Sequence, residues 1–269
     1  MDENPQGARV SRASGEAVRF DALTRRFGDR VAVNGLTLTV NEGEFFGFLG
    51  PNGAGKSTTI KMATGLLRPT SGSIRVFGLD PFTRPMDVKG RIGLVPEELA
   101  LYERLTGFEA LTFAGRLYGL DETTAKQRAM DLLAWLGLEE DGGKLIVDYS
   151  TGMKKKAALG CAVIHRPRLL FLDEPFSGID PLALKGIKEV LQQMVREGVT
   201  VFFSSHVMEL VERLCTRVAI LHRGEVHAVG TLAEMRANLG LAGDATLEDV
   251  FVTAVGEPIG GEEAAWLTE

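Results

Sequence analysis

Residues Gly50 to Thr58 read Gly-Pro-Asn-Gly-Ala-Gly-Lys-Ser-Thr and lie between an apolar run, Phe45-Phe46-Gly47-Phe48-Leu49, and a stretch with helical character. Strand, glycine-rich turn and helix in that order make a phosphate-binding loop, which sits in an α/β layered fold. Glycine lets the backbone turn its N–H groups toward one centre, and the helix that follows adds about half a positive charge at its N-terminus. Lys56 is placed to reach the β- and γ-phosphates of a nucleotide, and the Ser57 hydroxyl suits Mg²⁺. Gly50, Asn52, Gly53, Gly55, Lys56, Ser57 and Thr58 are therefore candidate nucleotide contacts. An accidental match in a chain with 32 glycines is the competing explanation, and the correct flanks argue against it. Hydrolysis is a separate claim and needs further residues.

A length of 269 residues suits one large domain or two small ones, and 45% hydrophobic content can fill a core. No apolar run approaches the ~20 residues of a membrane span, and the polar start of the chain lacks the apolar centre of a signal peptide. The expectation is a cytoplasmic globular protein. A formal charge of −6 speaks against a nucleic-acid surface as its main business. Cys161 and Cys215 fit small core thiols rather than a disulfide or metal pair.

Short β-like runs at Val18 to Leu23 and Leu36 to Val40, with turns expected at Gly28-Asp29 and Asn34-Gly35, predict an antiparallel layer that Ser73 to Phe77 joins. After Ile92 to Val95 the apolar spacing becomes helical over Gly107 to Tyr118, Glu122 to Leu136 and Met153 to His165. Strand and helix then alternate again from Leu169 to Leu221, the pattern of a mostly parallel sheet. The fold expected is an α/β nucleotide-binding domain with a mostly parallel core sheet, an N-terminal antiparallel β layer and an inserted α-helical subdomain. Short helices are expected at Leu232 to Leu239 and Thr246 to Val255, with mobile chain ends.

Leu169 to Leu172 run into Asp173-Glu174-Pro175, a buried strand ending in two carboxylates. Alternation along a strand gives the two carboxylates separate roles. Asp173 is placed to hold Mg²⁺ opposite Ser57, and Glu174 to orient and deprotonate the water that attacks a γ-phosphate. A helix cap or surface pair is the plainer alternative. His206 follows Val201 to Ser205 at the end of the next strand, where α/β folds place ligand contacts, and is a candidate γ-phosphate sensor. His165, His222 and His227 have no such context. The histidines and cysteines do not form a metal-site pattern, so Mg²⁺ is expected to arrive with the nucleotide.

Tyr149-Ser150-Thr151-Gly152-Met153-Lys154-Lys155-Lys156 lies before a helix and ahead of Asp173. With the phosphate loop, Leu169 to Glu174, Ser177-Gly178-Ile179-Asp180 and Ser205-His206, it resembles the ATP-binding cassette of ABC transporters in order and spacing, over about residues 17–235. The resemblance implies an ATPase that uses ATP and Mg²⁺, with a helical subdomain at about 99–165; outside it the sequence predicts a mobile tail at 1–16 and short C-terminal helices followed by a mobile tail at 236–269. The resemblance also implies head-to-tail closure with a second cassette, an identical copy or a related chain. Each ATP is then held between one phosphate loop and the Ser150 and Gly152 segment of the other copy. Phe27 resembles the aromatic residue that stacks on adenine, with a core position as the alternative. Asp180 resembles the aspartate that communicates across the dimer. Lys154 to Lys156 are expected in the first helical turn, facing a phosphate or splaying into water.

Two departures from the family pattern stand out. Glu97, in Leu94-Val95-Pro96-Glu97, replaces the usual glutamine and is expected to touch nucleotide and Mg²⁺; a carboxylate accepts but cannot donate a hydrogen bond. Tyr149 and Thr151 replace the usual Leu and Gly. Both variants, and the ending Thr246 to Phe251, resemble cassettes serving exporters of drugs, antibiotics and lipids. Since the chain shows no span of its own, the resemblance implies a separate integral membrane permease, docked on a groove around Leu101, Tyr102, Leu105 and Phe108 from the inner face of the membrane. A soluble ATPase that clamps RNA or DNA and an ATP-binding regulatory module stay open as alternatives.

Overall fold

The computed structural model describes residues 15–256. β1 (Glu16–Phe27) and β2 (Arg30–Asn41) pair antiparallel through the Gly28-Asp29 turn, with Gly28 at φ 57°. Val18, Phe20 and Leu23 of β1 and Val33, Leu36, Leu38 and Val40 of β2 are buried while intervening residues face out, the period of a half-buried strand. The turn expected at Asn34-Gly35 is instead a bulge inside β2. Register there passes from Leu23↔Leu36 to Arg25↔Val33, and Gly35 takes φ 61°. A bulge requires the same positive φ that makes Asn-Gly a turn signal, so the sequence cue was real and its structural meaning differed.

β3 (Phe45–Leu49) leads through the phosphate loop into α1 (Lys56–Ala63), and β4 (Ser71–Val76) returns to the free side of β1, giving a sheet in the order β2-β1-β4. After α2 (Pro85–Lys89) and β5 (Ile92–Val95) come α3 (Gly107–Leu117), α4 (Glu122–Trp135) and α5 (Thr151–Val163), with no strand assigned between them. The chain continues through β6 (Leu169–Asp173), α6 (Pro181–Arg196), β7 (Thr200–Ser205), α7 (Met208–Leu214), β8 (Arg217–His222) and β9 (Glu225–Gly230), then α8 (Leu232–Leu239) and α9 (Leu247–Val255). The second sheet runs β5-β6-β7-β3-β8-β9, parallel except for β9, which folds back on β8. Because β9 is only half-buried, it carries a weak apolar signal, and sequence reading missed it.

Period-two alternation sends neighbouring side chains of the central strands into different layers. Phe202 packs with Phe20, Phe46, Phe48 and Phe171 between the sheets, at ring centroid distances of 5.2 to 6.5 Å. Phe203, beside it in sequence, faces the helices with Phe45 and Phe176. Each fully buried phenylalanine contributes roughly 1.5–3 kcal/mol relative to exposure, so these layers fix the strand register at the site. Among the described residues no helix is long and apolar enough to cross a membrane. The expected mobile ends fall largely on residues 1–14 and 257–269, outside the described residues, whereas Glu16 already belongs to β1 and Ala17 is buried.

Candidate functional site

Register gathers the candidate residues along one edge of the core sheet. β3 lies between β7 and β8, pairing Leu49 with Ser205 and Ile220, so the phosphate loop leaves the sheet beside the end of β7. Asp173 pairs with Ser204, and Val95 pairs with Leu172. The loop after Gly50, His206, Asp173-Glu174 and Glu97 therefore all emerge at the carboxyl ends of parallel strands, where open α/β sheets bind ligands. Between them lies a cavity of about 380 Å³ lined by Phe27, Asn52, Gly53, Gly55, Lys56, Ser57, Thr58, Glu97 and Glu174. Arg30 and Ala32 complete its wall, and sequence reading did not single them out.

The loop conformation requires glycine at two points. A Cβ on Gly50 would lie 2.3 Å from the Leu221 carbonyl, and Gly55 takes φ 107° with its α-carbon pressed toward the Ala32 carbonyl. Gly55 is also the N-cap of α1 and has no side chain to satisfy the helix's first N–H groups. Lys56 is buried within this cradle. Its Nζ donates to the carbonyls of Gly50 at 2.6 Å and Pro51 at 3.1 Å and stands 3.2 Å from Glu174 Oε1. An ammonium so placed can exchange those partners for phosphate oxygens without moving far.

β6 ends at Asp173, and Glu174 takes a left-handed φ of 48°. The two carboxylates were expected to diverge by strand alternation; instead this turn separates them, at a backbone cost of about 1–3 kcal/mol. Asp173 Oδ1 accepts from Ser204 Oγ at 2.6 Å, and that hydroxyl also receives the Glu174 N–H at 3.1 Å. Ser204 is fully buried and sets both acids; a polar side chain ending an apolar strand was the cue that could have found it. His206 Nδ1 is 3.0 Å from Glu174 Oε2. Glu174 Oε1, in contrast, is buried without a hydrogen bond, because Lys56 approaches it as a charge from outside hydrogen-bonding geometry. A strained carboxylate with one unsatisfied oxygen, between an ammonium and an imidazole, can accept a proton from a water in the cavity.

Phe27 ends β1 and is 47% exposed, so it is not a core residue. The Arg25 guanidinium lies 4.4 Å from its ring centroid and donates to the Arg68 carbonyl at 3.0 Å. An aromatic ring backed by a cation at the mouth of the cavity can stack on a flat base. For Mg²⁺ the cavity offers oxygen donors from Ser57 and Glu97, which suit a hard cation, whereas Asp173 is not among the lining residues and gives its Oδ1 to the Ser204 hydroxyl. Among the described residues no group of three or more His, Cys, Asp or Glu side chains could hold a metal ion by itself. Further ligands would have to come from phosphate and water.

Ser150 and Gly152 do not line this cavity. Ser150 is the N-cap of α5, its hydroxyl accepting from the Met153 N–H at 3.2 Å. A Cβ on Gly152 would meet Ala183 Cβ at 2.8 Å and Asp180 Oδ2 at 3.2 Å, so Asp180 flanks the start of α5 while capping α6 through the Ala183 N–H at 2.9 Å. Of the three lysines expected in the first helical turn, Lys154 closes it, its N–H donating to the Ser150 carbonyl at 2.8 Å, while Lys155 and Lys156 lie past it because α5 begins at Thr151. Lys154 pairs with Glu103 at 3.0 Å, Lys155 is buried, and Lys156 borders a groove between α4 and α6. The groove expected around Leu99 to Phe108 exists in part: Leu105 and Phe108 line it with Phe113, Arg116 and Lys126. Tyr102, 63% exposed, packs its ring 5.3 Å from Phe113. Cys161 and Cys215 are free thiols, and burial pushes Cys161 up to about 12, leaving it unreactive.

Comparison with known proteins agrees with this geometry. The family described as ABC transporter matches residues 33–177. The chain is 42% identical over 240 residues to the linearmycin resistance ATP-binding protein LnrL of Bacillus subtilis (strain 168), covering 89% of this chain and 76% of that protein. It is 38% identical over 224 residues to the daunorubicin/doxorubicin resistance ATP-binding protein DrrA of Streptomyces peucetius, covering 83% of this chain and 68% of that protein. A solved structure described as the ATP binding subunit of an ABC transporter superposes with a TM-score of 0.82 at 35% identity, covering 89% of this chain and 99% of that one.

Proposed function

The chain belongs to the ABC transporter family as an ATP-binding subunit that hydrolyses ATP, and from that premise we propose that it powers an exporter of drug-like, antibiotic or lipid molecules. Two relatives named for antibiotic and drug resistance support this reading, as do Glu97, Tyr149 and the Thr246 to Phe251 ending. The same resemblance argues against a nucleic-acid clamp or a regulatory module. The cassette spans residues 17–235 with its helical subdomain at about 99–165.

In this reading Phe27 stacks on adenine and the backbone N–H groups from Asn52 to Thr58 hold the phosphates. Lys56 moves from the Gly50 and Pro51 carbonyls to the β- and γ-phosphates. Ser57, Asp173 and Glu97 hold Mg²⁺, which when bound offsets phosphate charge. Glu174 takes the proton of the water that attacks the γ-phosphorus as the bond to the β-phosphate oxygen breaks, and His206 senses the γ-phosphate. Ser150 and Gly152 of a second cassette close the site, with Asp180 beside the closure. Closure and reopening act on a separate integral membrane permease, docked at the groove around Tyr102 and Phe108 from the cytoplasmic face.

The observation that carries the hydrolytic part is the buried Glu174 carboxylate, held between Lys56 and His206 with Oε1 unsatisfied. Glu174→Gln should bind ATP and lose turnover by about 10²–10⁴-fold; parental turnover would remove Glu174 as the base. The same tagged variant, recovered from detergent-solubilised membranes of its own host with Mg-ATP, should retain an integral membrane protein stoichiometrically. Recovery with ribosomes, with nucleic acid or alone would overturn the exporter reading.

A further inference from the structure

Lys155 has no part in the site as described, yet it is a buried cation on α5, the helix capped by Ser150. Its Nζ donates to the carbonyl of Glu174 at 3.1 Å and to the carbonyl of Ser177 at 2.5 Å. Those carbonyls are the two ends of one tight turn, Glu174-Pro175-Phe176-Ser177, in which the Ser177 N–H also donates to the Glu174 carbonyl at 3.2 Å. The aliphatic stem reaches this turn through an apolar gap lined by Val95, Leu159, Leu172, Pro175 and Ile187. Burying an ammonium on backbone carbonyls is costly unless geometry demands it, and glutamine or methionine would fill the gap without a charge. The turn it clamps holds Glu174 in its left-handed conformation, which aims the carboxylate between Lys56 and His206.

We propose that Lys155 is a positioning residue for hydrolysis: it locks the Glu174 to Ser177 turn, and so the aim of the Glu174 carboxylate, to the helix that starts at Ser150 and Gly152. This rests on the reading of Glu174 as the base. It gives the chain an internal strut between its own reacting carboxylate and the surface it offers to a second cassette, because one rigid helix carries both Ser150 and Lys155. Any tilt of α5 on closure is then felt at the main chain of Glu174.

The test is a double-mutant cycle read by single-turnover hydrolysis of radiolabelled ATP, alongside ATP affinity from a fluorescent analogue. Lys155→Met should leave affinity within about twofold and lower the hydrolysis rate by about 30- to 100-fold, the scale of a misplacement near 1 Å. In the Glu174→Gln background the same substitution should lower the residual rate no further, since nothing is left to aim. Losses that multiply across the two sites, or a fall in affinity that tracks the fall in rate, would reduce Lys155 to a packing residue. An unchanged rate in Lys155→Met would remove the proposal outright. If Lys155→Met does not fold, Lys155→Gln carries the same cycle. Parental hydrolysis by Glu174→Gln alone would instead strike the assignment of the base.

Discussion

The starts of α1 and α5 are two helix N-termini of opposite construction. Both lack an acid in the first turn, whereas α3, α4, α8 and α9 each place Glu or Asp there beneath a side-chain cap. α6 shares the lack of an acidic first turn but is capped by Asp180. The positive ends of α1 and α5 are therefore left without neutralisation by their own turns, at a loss of roughly 0.3–1 kcal/mol each. They differ in what satisfies them. α1 is capped by Gly55 and opens into the cavity beside Lys56, so its donors await a ligand; α5 is held in shape by the Ser150 hydroxyl and can be presented, already formed, to another chain. One end opens into a cavity without a cap of its own, and the other carries its cap on the surface.

That contrast can be broken most severely at α1. Lys56→Ala removes the cradle's cation and strands a buried Glu174 carboxylate, so ATP affinity should fall by ~2–5 kcal/mol, measured by equilibrium binding. An affinity within a factor of two of the parent would mean that the backbone alone supplies the receptor. A smaller effect is expected at α5. Thr151→Asp puts an acid on an exposed first-turn position; it should raise the thermal midpoint slightly, while lowering turnover about tenfold through repulsion of an incoming phosphate. Turnover that rises with stability would show that no anion meets this helix.

The mildest test lies just past the other end of α5. His165 stacks on Tyr118 with ring centroids 3.6 Å apart, its Nε2 reaches the Ile92 carbonyl at 2.9 Å, and its Nδ1 is buried without a partner. Burial, with a smaller push from Arg128, lowers its pKa below the usual 6.5. The folded state thus binds this proton less readily than the unfolded chain. The stability His165 contributes is complete above about pH 6.5 and is lost as pH falls toward the lowered value. Denaturation midpoints of the parent should decline below pH 6.5, and His165→Phe should flatten that decline; identical slopes would assign the acid sensitivity elsewhere.

Much of the site could be read before folding was considered. The phosphate loop, Asp173-Glu174 and His206 are each announced by a run of apolar residues that must end where a polar one begins, so strand ends and chemistry coincide. Ser204 and Lys155 escaped because their partners are atoms on other elements. A serine ending a strand has many possible neighbours, and a lysine one turn into a helix is usually solvated. Arg30 escaped because only the β1–β2 turn carries it over the loop at Gly53, whose Cβ position lies 3.6 Å from its guanidinium. The Asn34-Gly35 bulge was legible as a place of positive φ but not as a bulge, since that choice depends on the register of β1.

By itself the sequence determined what is local: the strand–loop–helix around Lys56, the caps at Thr106, Asp121, Ser150, Thr231 and Thr246, and the alternation that sends Phe202 and Phe203 to different layers. Those features need only bond geometry and neighbours within a few positions. Tertiary structure decided that Leu49 sits opposite Ser205, that Glu174 turns left-handed between Lys56 and His206, and that a lysine of α5 holds that turn. Contacts between residues far apart in the chain depend on which strands pair and in what register. That choice is made by burial of the whole sheet, which no short stretch of sequence contains.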